Sequence, residues 1–441
     1  MSKPPGPPAW PLFGHLPAFL HDKLGFLTGC AERYGDVVAL KIGEPTYLLN
    51  DPADIKHVLI DNGSNYNRTW RMTSPGGKRI WGNGMQTSFG AEHLRKRRMV
   101  QPAFSRRSIG VLLPVMLDRT KQRMATWSND SGEIDLASEM ESLALSIILG
   151  ALFGPDFVDD ELRAAMAIRQ RYVAYVYGSL LPFAEYLPTP IVRRYRRAQH
   201  FIDDVIRREV EHPTSSPSFT AMFAAANPDG VRMDFPQLRD EILPLMSTSD
   251  STGAALCWTL YLLALHPDAE AAVVKELSEV LGDRDPSPDD IARLTYTRQV
   301  LDESLRLYPP NWILVRMALG DDTLPSGTSI RRGAKLYLCQ YVMHRSPKYF
   351  PDPDRFDPSR FRPEETARRP EFAYFPFAGG QRRCIGEHFA LVEGVTVLAL
   401  LMRRFRFQLS PDQSIMPNPA VVLRPKHGIR AKVAIRLESE G

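Results

Sequence analysis

The sequence predicts a mainly α-helical protein with small β-sheets (α+β), one large domain over 18–441 behind a proline-rich hinge at 1–17. Three observations lead there. Apolar residues recur at three and four positions through most of 92–307, as in Leu143-Ala-Leu-Ser-Ile-Ile-Leu-Gly-Ala-Leu-Phe, the period of a helix face. Short strand-like runs bounded by Gly and Pro flank that stretch on both sides. No repeat and no linker divides the 441 residues, so they read as one body although length alone allows two or three.

In chain order, Pro4-Pro-Gly-Pro-Pro favours extended backbone, capped by the apolar Trp10-Pro-Leu-Phe-Gly-His-Leu. Residues 18–34 carry a helical pattern. Val37-Val-Ala-Leu-Lys-Ile and Thr46-Tyr-Leu-Leu-Asn form strands about a Gly43-Glu-Pro turn, and Pro52 opens a helix. The segment 63–90 breaks every period. It holds six glycines and one proline, with Trp70, Met72, Trp81, Met85 and Phe89 between them, and is too long for a plain connection. Its aromatic content points to an ordered segment packed on something. Helices then run to Leu307, with breaks at Pro155, 182–190, Asn227-Pro-Asp-Gly and 282–288. Strands follow at 313–317, 328–330 and 335–339. A loop rich in Pro and Arg covers 345–376, a last helix 387–405, and short strands end the chain.

Composition excludes several classes. With 44% hydrophobic and 24% charged residues the chain is globular in type. Four cysteines without a C-x-x-C pair are too few for a disulfide scaffold or a Cys-rich zinc site, so a cysteine that matters should matter singly. A net charge of +4 is too dilute for a nucleic-acid binder. The first residues lack the apolar core of a signal peptide, and apolar stretches such as 256–265 are too short to span a bilayer. The expectation is a cytoplasmic monomer without a transmembrane anchor. Basic runs at 95–98, 193–197 and 403–406 are either solvated helix faces or docking sites for an acidic partner.

The segment Phe377-Ala-Gly-Gly-Gln-Arg-Arg-Cys-Ile-Gly-Glu-His-Phe-Ala carries the chemistry. Gly379, Gly380 and Gly386 permit positive φ and close backbone approach. Cys384 lies before a helix and beside two arginines, both of which stabilise a thiolate. Cys30, Cys257 and Cys339 have no such context and read as small buried hydrophobes. The pattern Phe377-x-x-Gly380-x-Arg382-x-Cys384-x-Gly386 resembles, at every position, the haem-binding signature of the cytochrome P450 family. That resemblance implies the P450 fold enclosing haem b, Cys384 as axial thiolate and metal ligand, and Arg382 paired with a propionate. A thiolate ligand favours O–O cleavage.

Further stretches are similar to the family. Glu303-Ser-Leu-Arg306 resembles its Glu-x-x-Arg pair, and Pro353-Asp-Arg355-Phe356 the segment that completes a buried triad of Glu303, Arg306 and Arg355. Gly90-Ala-Glu-His93-Leu-Arg-Lys-Arg97 resembles the helix over the haem edge. His93 and Arg97 are one turn apart and suit one propionate, and Arg316 a further propionate contact. A single helix is expected over 234–266, capped by Asp234 and kinked by Pro244, which leaves the Asp240 carbonyl without its helical donor. Counting back seven from Trp258 aligns Asp250 and Ser251 with the family's acid–alcohol pair, followed by Thr252. An alcohol holds the water that protonates bound oxygen and a carboxylate resupplies it. Thr248 stands where the family has a small residue.

The resemblance assigns substrate contact to Trp70, Trp81, Met85, Phe89, Tyr175, Phe183, Leu245, Thr248, Trp312, Ile313 and Leu314. It implies oxidation of a lipophilic or aromatic small molecule in a biosynthetic pathway. Electrons would come from a ferredoxin or flavodoxin with its reductase, steered by Arg95, Lys96, Arg98, Arg106 and Arg383. Ser247-Thr-Ser-Asp-Ser-Thr departs enough from the family pattern to keep non-oxygenating chemistry (group transfer, cyclisation, rearrangement or peroxide use) open. A haem sensor or electron carrier is the third reading, disfavoured by the aromatic segment.

Overall fold

The computed structural model describes residues 4–127, 132–178, 189–225 and 230–436. The backbone groups into two compact units, Met1–Thr73 with Asp302–Cys384 and Ser74–Leu301 with Ile385–Gly441.

The first unit is organised by a five-stranded sheet. Strands Val37–Ile42 and Glu44–Leu49 form a hairpin that turns at Gly43, where φ is +74°. Glu44–Leu49 runs parallel to Lys335–Leu338, which pairs antiparallel with Leu314–Ala318, and that strand pairs with Tyr66–Asn67. Leu49, Ile55, Leu59, Leu336, Leu338, Phe372 and Phe375 form the core beneath it. The proline-rich lead is pinned along the first strand. Pro5 accepts from Ala39 N at 2.8 Å, and the His15 ring bridges Pro7 O and Lys41 N.

Helices dominate the second unit. Leu136–Phe153 packs on Ser249–Leu265 and on Arg106–Met124, which also packs on Glu387–Arg404. A sheet ordered Glu133–Asp135, Arg430–Ile435, Phe405–Leu409 completes it. One expectation is corrected here. Among the described residues, Leu136–Phe153 is long and apolar enough to cross a membrane, with a mean hydropathy of 1.6. Yet 72% of it is buried within the protein, as a core helix would be.

The segment 63–90 is ordered and partly helical, with turns at Trp70–Thr73 and Pro75–Trp81, the second capped by the Ser74 hydroxyl. The single helix expected over 234–266 is two, Phe235–Met246 and Ser249–Leu265. Asp234 caps the first through Gln237 N. The chain passes Pro244 and breaks three residues later. There Ser247 N and Thr248 N bond the carbonyls of Pro244 and Leu245, the tighter three-residue spacing. The hydroxyls of Thr248, Ser249 and Ser251 donate to the carbonyls of Leu245, Met246 and Thr248, so side chains satisfy the groups that the break exposes.

Candidate active site

Cys384 differs from the other three cysteines in the way the sequence suggests. Cys30, Cys257 and Cys339 are buried, and burial pushes their thiols up in pKa, whereas Cys384 is exposed. Its amide is held by the Phe377 carbonyl at 2.9 Å, which closes the loop into a compact turn. Gly380 is the residue that turn requires. Its φ is +66°, and a Cβ there would stand 2.0 Å from the Leu59 carbonyl oxygen. Gly386 does not meet the same expectation: φ is −85° and the nearest atom to an added Cβ is 3.9 Å away. Phe377 and Arg382 are half-buried beside the turn.

Arg316 lies on strand Leu314–Ala318 and is 6% exposed. Strand pairing sets Tyr66 and Asn67 opposite Ala318 and Met317, which brings Arg68 alongside. Burial, then the charges of Arg68 and Arg382, push Arg316 down to about 9. Its guanidinium bonds the Val315 carbonyl at 3.2 Å. The charges of Arg68 and Arg382 both act against that of Arg316. Sequence reasoning found Arg382 and Arg316 but missed Arg68, whose signal is the register of a two-residue strand.

The Glu303–Arg306 pair is fully buried. Arg306 Nε and Nη2 reach the two Glu303 oxygens at 2.7 and 2.8 Å, a bidentate fork. Arg306 also donates to the carbonyls of His344, Pro353 and Arg355 at 2.9, 2.6 and 3.1 Å. The expected third member is corrected. Arg355 is exposed and contributes its carbonyl, while the side chain facing Glu303 is Arg360, with Nε 3.6 Å from Oε1. The pair reaches the cysteine loop through His344. Its carbonyl holds Arg306, and its Nε2 accepts Phe375 N at 3.0 Å. Gln340 adds bonds to the carbonyls of Phe375 and Pro376.

In the second unit, Asp250 and Ser251 diverge. Neighbouring helix positions do not share a face, and among the described residues no hydrogen bond joins them. Ser251 donates to the Thr248 carbonyl at 2.9 Å, which leaves its oxygen to accept. Asp250 is bound by Gln170 and lies 3.2 Å from Arg424, which also pairs with Glu141 at 3.0 Å. Burial raises Asp250 to about 6, against the pull of Arg424. Arg169, next to Gln170, is buried and donates to Ser247 Oγ at 2.6 Å and to Ile80 O at 2.8 Å. One helix, Asp160–Gly178, therefore grips both sides of the break. Arg169, Gln170, Arg424 and Glu141 were invisible in sequence because their partners lie roughly eighty to almost three hundred positions away. Thr252 contributes its amide to the Thr248 carbonyl at 3.2 Å.

His93 and Arg97 sit one turn apart on helix Gly90–Val100, as expected. His93 is buried, and its Nδ1 is committed to the Met85 carbonyl at 2.9 Å. Lys96 is corrected: it is not a surface charge but is 4% exposed, bonded to Glu92 and to the Asn83 carbonyl. Arg95, Arg98, Arg106 and Arg383 are exposed.

Of the residues assigned to substrate contact, Trp81 is buried, with its indole N–H on Tyr177 at 2.9 Å and Arg169 over its ring. Met85, Tyr175 and Leu245 are half-buried, and Thr248 and Phe89 exposed. In the other unit Trp312 is buried, Ile313 and Leu314 partly so. Phe183 and the side chain of Trp70 lie outside the described residues.

A family model described as "Cytochrome P450" matches residues 4–433. Cyclooctatin synthase of Streptomyces melanosporofaciens is 32% identical, over 95% of this chain and 92% of its own. Cyclooctat-9-en-7-ol 5-monooxygenase of the same organism is 31% identical over 93% and 90%. Among solved structures, the haem domain of cytochrome P450DA superposes with a TM-score of 0.87 over 99% and 98% of the two chains, at 24% identity. This chain belongs to the cytochrome P450 family. It is an oxidoreductase of the monooxygenase type, in a family that carries haem iron.

Proposed function

We propose that this enzyme holds haem b through Cys384 as a thiolate and oxidises a lipophilic small molecule in a biosynthetic pathway. The observation that carries the reading is the exposed Cys384 on a loop locked by Gly380, beside Arg316, Arg68 and Arg382. Three cations that act on one another, one of them buried, suit the carboxylates of a porphyrin. By the family resemblance, Arg316, Arg382, His93 and Arg97 are the proposed propionate ligands. Phe377 and Gly386 complete the signature. When bound, the haem supplies the activation of dioxygen and the transfer of one oxygen atom to the substrate.

The chain's own residues handle protons. Ser251 offers an acceptor oxygen for a water, and Thr252 follows it on the same helix. Asp250, near 6, can both give and take a proton at neutral pH. Substrate contact falls to the residues named above. The names of the relatives, one an oxygenase of an unsaturated alcohol, support a lipophilic substrate. Two electrons would come from a ferredoxin or flavodoxin with its reductase, attracted by Arg95, Arg98, Arg106 and Arg383. The enzyme would act as a cytoplasmic monomer, one catalytic domain enclosing the haem.

Two outcomes test this. Arg316→Ala should lose haem on dilution several times faster than wild type, with the apoprotein still folded by circular dichroism; unchanged retention removes Arg316 from the site. Ser251→Ala should release peroxide and form less product per reductant consumed. A second reading, chemistry without dioxygen, draws on the divergence of Asp250 and Ser251. Product formed anaerobically without reductant, unaffected by Ser251→Ala, would establish it instead.

A further inference from the structure

The sequence leaves Pro244 without a purpose, and the structure places something against its effect. With no N–H at 244, the Asp240 carbonyl has no helical donor. Gly84 lies on that carbonyl so closely that a Cβ at 84 would stand 2.4 Å from the oxygen. The neighbouring backbone is fastened on both sides of this point. Asp240 Oδ2 accepts Asn83 N at 2.7 Å. Both oxygens of Glu241 accept Met85 N, at 2.9 and 3.0 Å. Helix Gly90–Val100 holds the carbonyls of the same two residues, Lys96 on Asn83 and His93 on Met85. Thr87 Oγ1 closes the turn onto the Gly82 carbonyl at 2.7 Å.

We propose that Glu241, with Asp240 and the carbonyl freed by Pro244, is the positioning site for segment 82–88 and fixes Met85 for substrate contact. The substrate part rests on the function proposed above; the docking itself does not. Gly84 is required because the segment must approach a helix backbone, and the acids are required because the N–H groups of Asn83 and Met85, on either side of Gly84, point at that helix. Asp240 is itself oriented by Arg239, which Asp203 of helix Pro190–Glu211 holds at 2.9 Å. A candidate propionate ligand, His93, is also a tether of Met85, so haem and segment share a residue.

Ionisation gives the device a sign. Glu241 is buried, and burial raises it from 4.5 to about 7, against the pull of Met85 N–H, Lys96 and Arg95 and with the push of Asp240. Glu92, paired with Lys96, adds a further charge on that helix, as do Arg97 and Arg98. Undocking hydrates Glu241 and lets its pKa fall, so undocking releases a proton. Docking is therefore strongest below the hydrated value and weakens as pH rises through 4.5 to 7, by tenfold or more for a shift of one unit or more.

The test is amide hydrogen exchange on the haem-loaded full chain without substrate, read as protection factors at Asn83 and Met85. Wild type should lose about tenfold or more of Met85 protection between pH 5 and 8. Glu241→Gln, which keeps an acceptor but cannot ionise, should keep the protection and flatten the profile. Glu241→Ala should lose it at every pH and raise KM more than it lowers kcat. Equal protection in wild type and Glu241→Ala, or an unchanged pH profile in Glu241→Gln, overturns the dock. Lost protection with an unchanged KM overturns the role in substrate contact. A wild-type reduced carbon-monoxide spectrum without thiolate character would instead sink the functional reading, and leaves the exchange result legible.

Discussion

Arg306→Ala should destabilise the protein by about 3–5 kcal/mol, the cost of leaving a buried charge without its partner. Glu303 and Arg306 have no exposed side-chain surface, and Arg306 makes two bonds to Glu303 and three to backbone carbonyls. Removing the guanidinium leaves Glu303 with Asp357 N at 2.8 Å and Arg360 at 3.6 Å. Set against a typical stability of about 5–15 kcal/mol, that loss is a large fraction of the whole and should lower the urea midpoint clearly. Arg360→Ala should cost less than Arg306→Ala, because its Nε lies 3.6 Å from Glu303 without a hydrogen bond. Arg355→Ala should stay within about 0.5 kcal/mol, because its side chain is exposed and its carbonyl survives the substitution. Urea midpoints of the three haem-loaded variants check the order. An Arg355→Ala loss equal to that of Arg306→Ala would restore Arg355 as the third member. The His344 link to Phe375 adds a second readout: Arg306→Ala should also loosen the cysteine loop, seen as faster haem loss.

The exchange of Arg355 for Arg360 shows where sequence reading stops. Pro353-Asp-Arg355-Phe356 and Pro358-Ser-Arg360-Phe361 are two copies of one pattern, five residues apart. Spacing alone does not say which copy turns inward. The chain does, by a short 3-10 helix at Pro358–Phe361 whose Asp357 cap places Arg360 beside Glu303. What was legible had local causes: the helical period of 92–307, the proline stop at 309–310 and the Gly-Cys-Gly loop. Lys96 misled because four basic residues in a row read as solvent-facing, whereas a carbonyl thirteen positions earlier and Glu92 draw it inward. The network around Asp250 was beyond reach for the same reason on a larger scale. Arg424 comes from a C-terminal strand pair anchored by Trp258 Nε1 on the Leu423 carbonyl, a contact no periodicity announces. Pro244 was legible as a kink. Its consequence was not, since that needs the glycine that lies on the freed carbonyl.

Cys384→Ser should abolish the thiolate-type spectrum of the reduced carbon-monoxide complex and with it essentially all oxygenase turnover, while the polypeptide still folds. The side chain is exposed, so exchanging sulfur for oxygen removes no packing and should change apoprotein stability by no more than about 0.5 kcal/mol. The loop's shape is set elsewhere, by the amide bond of residue 384 to the Phe377 carbonyl, by the left-handed Gly380 against Leu59 and by Gln340 and His344 at its base. A serine there is presented as the cysteine was, but its hydroxyl stays protonated at neutral pH and cannot push electron density to iron as a thiolate does. Haem should still enter, because Arg316, Arg68 and Arg382 remain, and its affinity should fall by the loss of the iron–sulfur bond alone. The same exchange at Cys257 or Cys339 should behave in the opposite way: an unchanged spectrum with lowered stability, since both thiols are buried. If Cys384→Ser kept the thiolate spectrum, another cysteine would hold the iron. The three others are all buried in the core, so that outcome would demand a rearranged fold.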